Sequence, residues 1–196
     1  MAKTIIWDID DVLNSLTHDW LVLEWLPKNP TCKISYSEIS QNPPHSVLGI
    51  SSTTYLNSLD AFRIGQVGRH LEPSKPAMEW FCQHGASFRH IALTARPFKA
   101  TPMAAEWVFG HFGRWIRAFG FVPSPRRTDD APVYDLNKAE WLDWISRGDI
   151  FVDDSPKNIQ EVARKGIATI TIPQPWNHAK GTFGEAVKAI EDLKTL

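Results

Sequence analysis

The chain has 196 residues, 43% of them hydrophobic and nine of them tryptophan, with a net charge of −1 and a pI near 6.6. That is enough chain for one sizeable core, or a core with a small lobe, and the near-neutral charge supplies no overall pull toward nucleic acid or an anionic membrane. No run approaches the roughly 18 apolar residues of a membrane span, MAKTIIWDID has no secretory pattern, and two cysteines, Cys32 and Cys82, point to a reduced, cytoplasmic protein without a disulfide framework.

The first element is a short apolar strand in TIIWDIDDVLNS, Thr4 to Ser15, which runs into Asp8, Asp10 and Asp11. Side chains alternate along a strand, so Asp8 and Asp10 are expected on one side where it ends, with Asp11 pointing away as a turn residue outside the chemistry. Like charges at the end of a buried strand repel unless a cation sits between them. Leu16 to Leu26 has helical spacing and stops at Pro27. Pro27 to Gly49, with four prolines, reads as loop with a short helical piece around Ser37 to Ser40, and Ser52 to Phe62 as an amphipathic helix. Residues 14–72 thus form a helical and loop insertion without a strand.

From Pro73 the pattern is regular. A helix over Pro76–His84 ends at Gly85, and a strand follows over Phe88–Thr94. Next come a helix from Thr101, with Pro102 in its first turn, to Phe112, and a short strand over Ala118–Val122. Asn137 caps a helix to Ser146 with Glu140 three residues on, and Asp149–Val152 is a strand. Ser155 and Pro156 open the next helix, which Gly166 ends; Ile167–Ile172 is a strand, and Thr182 with Glu185 caps a final helix. Alternating strands and helices predict a parallel α/β sheet with helices on both faces and a ligand site at the carboxyl ends of its strands.

Four features fall on that edge: Asp8 with Asp10, Thr94, Lys138, and Asp153 with Asp154. Four carboxylates suit Mg²⁺, and a threonine and a lysine beside them suit phosphoryl oxygens. In this order IIWDIDDVL, IALT, Lys138 and IFVDD resemble the four motifs of the haloacid dehalogenase-like (HAD) hydrolase superfamily, in its phosphatase branch.

The resemblance implies a Rossmann-like core with strand order 5-4-1-2-3, built from residues 1–13 and 73–196, and a small C1-type cap over 14–72. It implies Asp8 as nucleophile forming an aspartyl-phosphate and Asp10 as acid and base. Mg²⁺ would be held by Asp8, the carbonyl of Asp10 and Asp154, with Asp153 direct or through water, while Thr94 and Lys138 would bind the phosphoryl group. Asp11 stands where many relatives carry glycine.

The implied activity is Mg²⁺-dependent hydrolysis of a small phosphate monoester, with a nucleotide or deoxynucleotide 5′-phosphate favoured by a looser likeness to 5′(3′)-deoxyribonucleotidases. The alternatives are a receiver-like phosphoacceptor module and a HAD-fold binding protein with little turnover. Arg96, Trp20 and Tyr55 are candidate substrate contacts; Trp20 and Tyr55, like Trp25, Tyr36 and Phe62, serve equally as a miniature core, and Arg96 equally as half of a turn salt bridge. The run Arg114, Trp115, Arg117, Phe119, Phe121, Arg126, Arg127 reads as a solvated helix face rather than a nucleic-acid surface. The histidines show no zinc-site spacing.

Overall fold

The computed structural model describes residues 2–124 and 132–193. β1 (Thr4–Trp7) lies at the centre of a five-stranded parallel sheet. It pairs with β2 (Arg89–Arg96) on one side and β4 (Ile150–Asp153) on the other; β3 (Ile116–Pro123) lies outside β2 and β5 (Ala168–Thr171) outside β4. The order β3-β2-β1-β4-β5 is the expected 5-4-1-2-3 read from the opposite edge.

Alternation sorts the apolar residues onto two faces. Ile5, Trp7, Ile150 and Val152 pack against α5 (Lys75–His84), α6 (Thr101–Phe112) and α9 (Phe183–Leu193). Ile6 and Phe151, opposite each other in the register, pack on the other face against α7 (Lys138–Ile145) and α8 (Pro156–Ala163). The three expected caps form: Asn137 Oδ1 accepts from Glu140 N–H at 2.9 Å, Ser155 Oγ accepts from Asn158 N–H at 3.4 Å, and Thr182 and Glu185 bond reciprocally.

Residues 14–72 hold no strand. α1 (Leu16–Trp20) widens into a π-helical turn, Leu21–Trp25, and runs on as α2 (Leu26–Lys28), so the helix passes Pro27 instead of stopping there. A proline ring crowds the carbonyl four residues back, and a wider turn ahead of it relieves that crowding. A 3₁₀ turn covers Tyr36–Glu38, α3 spans Ser52–Ile64 and α4 Gln66–Arg69. These pieces share their own apolar cluster, built around Trp20, Trp25, Tyr55 and Phe62, which Trp176 joins from beyond β5.

Two further expectations change. β2 continues two residues past Thr94 and so carries Arg96 on its end. The aromatic and basic run is not a helix face: Arg114 and Trp115 lie in the turn after α6, while Arg117, Phe119 and Phe121 alternate along the edge strand β3, as its β-favouring residues prefer. Arg126 and Arg127 lie outside the described residues. Cys32 and Cys82 are free thiols, and no helix among the described residues is long and apolar enough to cross a membrane.

One buried polar pair ties β1 to β2. Trp7 Nε1 donates to His90 Nδ1 at 3.0 Å, which leaves Nε2 to carry the proton and donate to Gly85 O at 2.8 Å. Burial pushes the His90 pKa down, outweighing the carbonyl contact. A depressed imidazole contributes stability that is present above its unfolded value of about 6.5 and lost as pH falls through the folded one. Urea midpoints at about pH 7.5 and about pH 5.5 are therefore expected to separate more for the wild type than for His90→Gln, which keeps an acceptor and does not titrate. Coincident pH profiles would refute this.

Candidate active site

Asp8 extends the β1 ladder by one bond, its N–H donating to Val152 O at 2.9 Å, so its side chain falls on the face that carries Ile6. Asp153 follows Phe151 on the same face of β4, and α7, packed there, begins with Lys138. Lys138 Nζ consequently sits between Asp8 Oδ1 and Asp153 Oδ2, at 2.7 Å from each, with its side chain 3% exposed. A cation in the first turn of a helix opposes the helix dipole; two carboxylates offset that cost.

Beyond Asp8 the chain turns tightly, with Ile9 O accepting from the N–H groups of Val12, Leu13 and Asn14. Asp11 has φ +61°, the left-handed region that glycine enters freely and aspartate tolerates better than most residues. Its buried carboxylate accepts from Thr17 N–H at 2.8 Å and Thr17 Oγ1 at 2.5 Å. Asp11 thus lines the same cleft as Asp8 and holds the start of α1, contrary to the expectation that it points away.

The turn carries Asp10 toward two arginines. Arg96 Nε donates to Asp10 Oδ2 at 3.0 Å and its Nη2 bonds Oδ1, a side-on fork; Arg63 Nη2, from α3, donates to Oδ2 at 2.9 Å. Asp154 accepts from Trp176 Nε1 at 2.7 Å, and its carbonyl from Asn177 Nδ2 at 2.7 Å. Asp153 accepts from Asn158 Nδ2 at 3.0 and 3.2 Å and from Ser155 N–H at 2.8 Å.

These environments separate the acids. Burial, opposed by Lys138 and reinforced by Asp153 and Asp10, raises the Asp8 pKa to about 7. Burial also raises Asp11 to about 7 against its Thr17 bonds. Asp154 is pushed well up by burial and by Asp153, Asp11 and Asp8. Burial acts on Asp10 too, but Arg96 and Arg63 outweigh it and hold that carboxyl near 2.

Oxygens of Asp8, Asp153 and Asp154 lie within 4.8 Å of one another, the group among the described residues that can converge on one ion. Hard oxygen donors whose ionisation is held back by mutual proximity and burial fit a divalent cation such as Mg²⁺. The Asp10 carboxylate, occupied by arginine, stands apart from that group.

The cleft has a volume of about 300 Å³ and is walled by Asp8, Thr94, Lys138, Asp154, Tyr55 and Arg63 among others. A larger cavity of about 740 Å³ between Phe98 and Trp144 holds none of these acids or cations. Of the expected substrate contacts, Tyr55 borders the cleft and Arg96 is bound to Asp10. Trp20 is instead wholly enclosed, its Nε1 donating to Ser58 Oγ at 3.1 Å and its ring packed on Trp25 and Tyr55. A lobe this small needs its large aromatics for its own core. Arg63, Asn158 and Trp176 join the site without a sequence signal of their own; each is an ordinary helix or loop residue in sequence, and only DDSPKN places Asn158 near the acids.

No protein-family model matches the chain. It is 24% identical over 164 residues to a curated phosphoglycolate phosphatase from Pseudomonas syringae pv. tomato, an alignment covering 81% of this chain and 58% of that protein. The chain thus spans a little over half the length of that relative. Among solved structures, a haloacid dehalogenase-like family hydrolase from Streptococcus pneumoniae superposes with a TM-score of 0.60 at 13% identity, over 90% of this chain and 88% of the other. The fold is that of the HAD-like hydrolases. A HAD-hydrolase from Bacillus subtilis, solved bound to magnesium, gives a TM-score of 0.55 at 12% identity and covers 100% of this chain and 99% of its own. At such identities the likeness speaks for the HAD-like fold, within which the four motifs occupy one strand edge.

Raised carboxyl values mean that the fold binds protons its unfolded chain does not. The stability contributed by Asp8 and Asp11 is complete below the unfolded value of 3.8 and lost as pH rises through about 7. Excess MgCl₂ is therefore expected to raise the melting temperature more at about pH 8 than at about pH 5.5. Scanning fluorimetry checks this, and a shift equal at both pH values would count against the cation site.

Proposed function

We propose that the protein is a Mg²⁺-dependent phosphomonoester hydrolase acting through an aspartyl-phosphate on Asp8. The observation that carries this reading is Lys138 held between Asp8 and Asp153 with Asp154 beside them, at the cleft that Thr94 also lines. The HAD-like fold and the phosphatase relative support it.

Asp8 Oδ1 is fixed by Ile9 N–H at 2.7 Å and by Lys138, which leaves the second oxygen to attack phosphorus. The new O–P bond forms as the ester P–O bond breaks, and the leaving oxygen takes its proton from the Asp10 carboxyl, which is thereby left ionised for the second half. Lys138 and Thr94 hold the phosphoryl oxygens, while Asp8, Asp153, Asp154 and the Asp10 carbonyl would hold Mg²⁺. Bound there, the cation would offset repulsion between the Asp8 carboxylate and the phosphate.

Asp10, ionised between two arginines, is set as the base that takes a proton from water in the hydrolytic half. Donating a proton in the first half requires its arginine clamp to loosen. Residues 14–72 act as the cap over this cleft. A nucleotide, favoured from sequence, would find Tyr55 as aromatic wall but not Trp20, so a smaller phosphate ester is the better match to about 300 Å³.

Phosphate release from p-nitrophenyl phosphate, nucleoside 5′-monophosphates and small phosphorylated acids is expected to require Mg²⁺. It should fall on the order of 10³-fold or more in Asp8→Asn and about 10²-fold in Lys138→Met. If Asp8→Asn retains wild-type turnover, the reading fails.

A further inference from the structure

We propose that Arg63 selects the substrate, and that the ester it selects carries a carboxylate on its leaving group. This rests on the hydrolase reading above and names its substrate class.

Arg63 sits in the last turn of α3 with its side chain 10% exposed, and reaches 53 positions back along the chain to the cleft. Its Nη1 donates to Asp60 Oδ1 at 3.2 Å and its Nη2 to Asp10 Oδ2 at 2.9 Å, while its Nε is buried without a hydrogen-bond partner. Nε and Nη2 form the side-on edge of a guanidinium, the edge that matches a carboxylate in two parallel bonds. Arg96 uses that same edge on Asp10 and fills both bonds. On Arg63 the edge is half filled.

A buried, permanently charged group with an idle donor is unfavourable unless a ligand completes it. Asp10 does not need Arg63 as well, because Arg96 already spans both of its oxygens. A carboxylate entering the cleft can therefore take Nε and Nη2 of Arg63, while Asp10 keeps Arg96. One half-filled guanidinium edge matches a monoanion. A second phosphate would call for a further cation, yet Lys138 is committed to Asp8 and Asp153, and Arg96 to Asp10.

The remaining walls are of the right kind for a short carbon chain, with Leu56, Leu59 and Tyr55 lining the same cleft as Arg63, and the volume of about 300 Å³ is at the small end of ligand sites. The entering carboxylate also loosens one half of the clamp on Asp10, since it draws Arg63 away while Arg96 stays.

The test compares 3-phosphoglycerate with glycerol 3-phosphate, which differ by a carboxylate in place of a hydroxymethyl group. Initial rates of phosphate release with Mg²⁺ give kcat/KM for the wild type, Arg63→Met and Arg63→Lys, with circular dichroism to confirm folding. The wild type is expected to favour 3-phosphoglycerate at least about tenfold, with the ratio falling toward one in Arg63→Met and partly kept in Arg63→Lys.

A wild-type ratio near one overturns the proposal whether or not the variants fold. So does an Arg63→Met enzyme in which both esters slow by the same factor, the signature of a residue that only positions Asp10. If wild type turns over p-nitrophenyl phosphate while either ratio result fails, the substrate assignment alone is lost. If it cleaves no phosphate ester, the hydrolase reading is lost and this inference with it.

Discussion

Carboxylates crowded at the ends of β1 and β4 are the constraint on which the rest of this structure depends. Asp8 and Asp153 share a face because both strands are parallel neighbours in matched register, and Asp154 follows at once. Buried like charges at this spacing cannot all ionise without cations among them. Lys138 supplies one from the start of α7, Arg96 another from the end of β2, and Arg63 a third from α3. The elements that form the fold are thus also the elements that deliver compensating charge to the strand edge that carries these acids.

Two links to the acids, Arg63 and Trp176, come from outside the sheet and belong with the second apolar cluster. Arg63 follows Phe62, a buried member of that cluster. Trp176 bonds Asp154 through its indole N–H while its ring meets Tyr36 at 6.0 Å. Tyr36 Oη donates to Gln174, and Gln174 Nε2 donates to Asp11 O at 2.6 Å. Packing in residues 14–72 therefore bears on Asp10, Asp11 and Asp154 together, through contacts short enough to register small shifts.

Much of this was legible from residue order. Strand and helix alternation, the three caps and the acidic motifs all express local chemistry, in which a residue meets partners three or four positions away. Two departures lie in backbone conformations that residue periodicity does not mark. The helix from Leu16 passes Pro27 because a π turn makes room for it, and Asp11 stays in the cleft because a left-handed turn swings its carboxylate to Thr17.

By itself the sequence determined the alternation of strands and helices and the acids at the strand ends, because hydrophobic period and motif spacing are properties of neighbouring residues; the strand order was only what the resemblance implied. Only the tertiary structure decided how those acids differ. Asp8 and Asp10 stand two residues apart with the same side chain, yet burial raises one to about 7 and two arginines hold the other near 2. Those arginines lie 53 and 86 positions further along, and no local pattern marks a contact of that range. Coulombic energy depends on distance through the folded molecule, which is why the chain names the charged groups and the fold assigns their work.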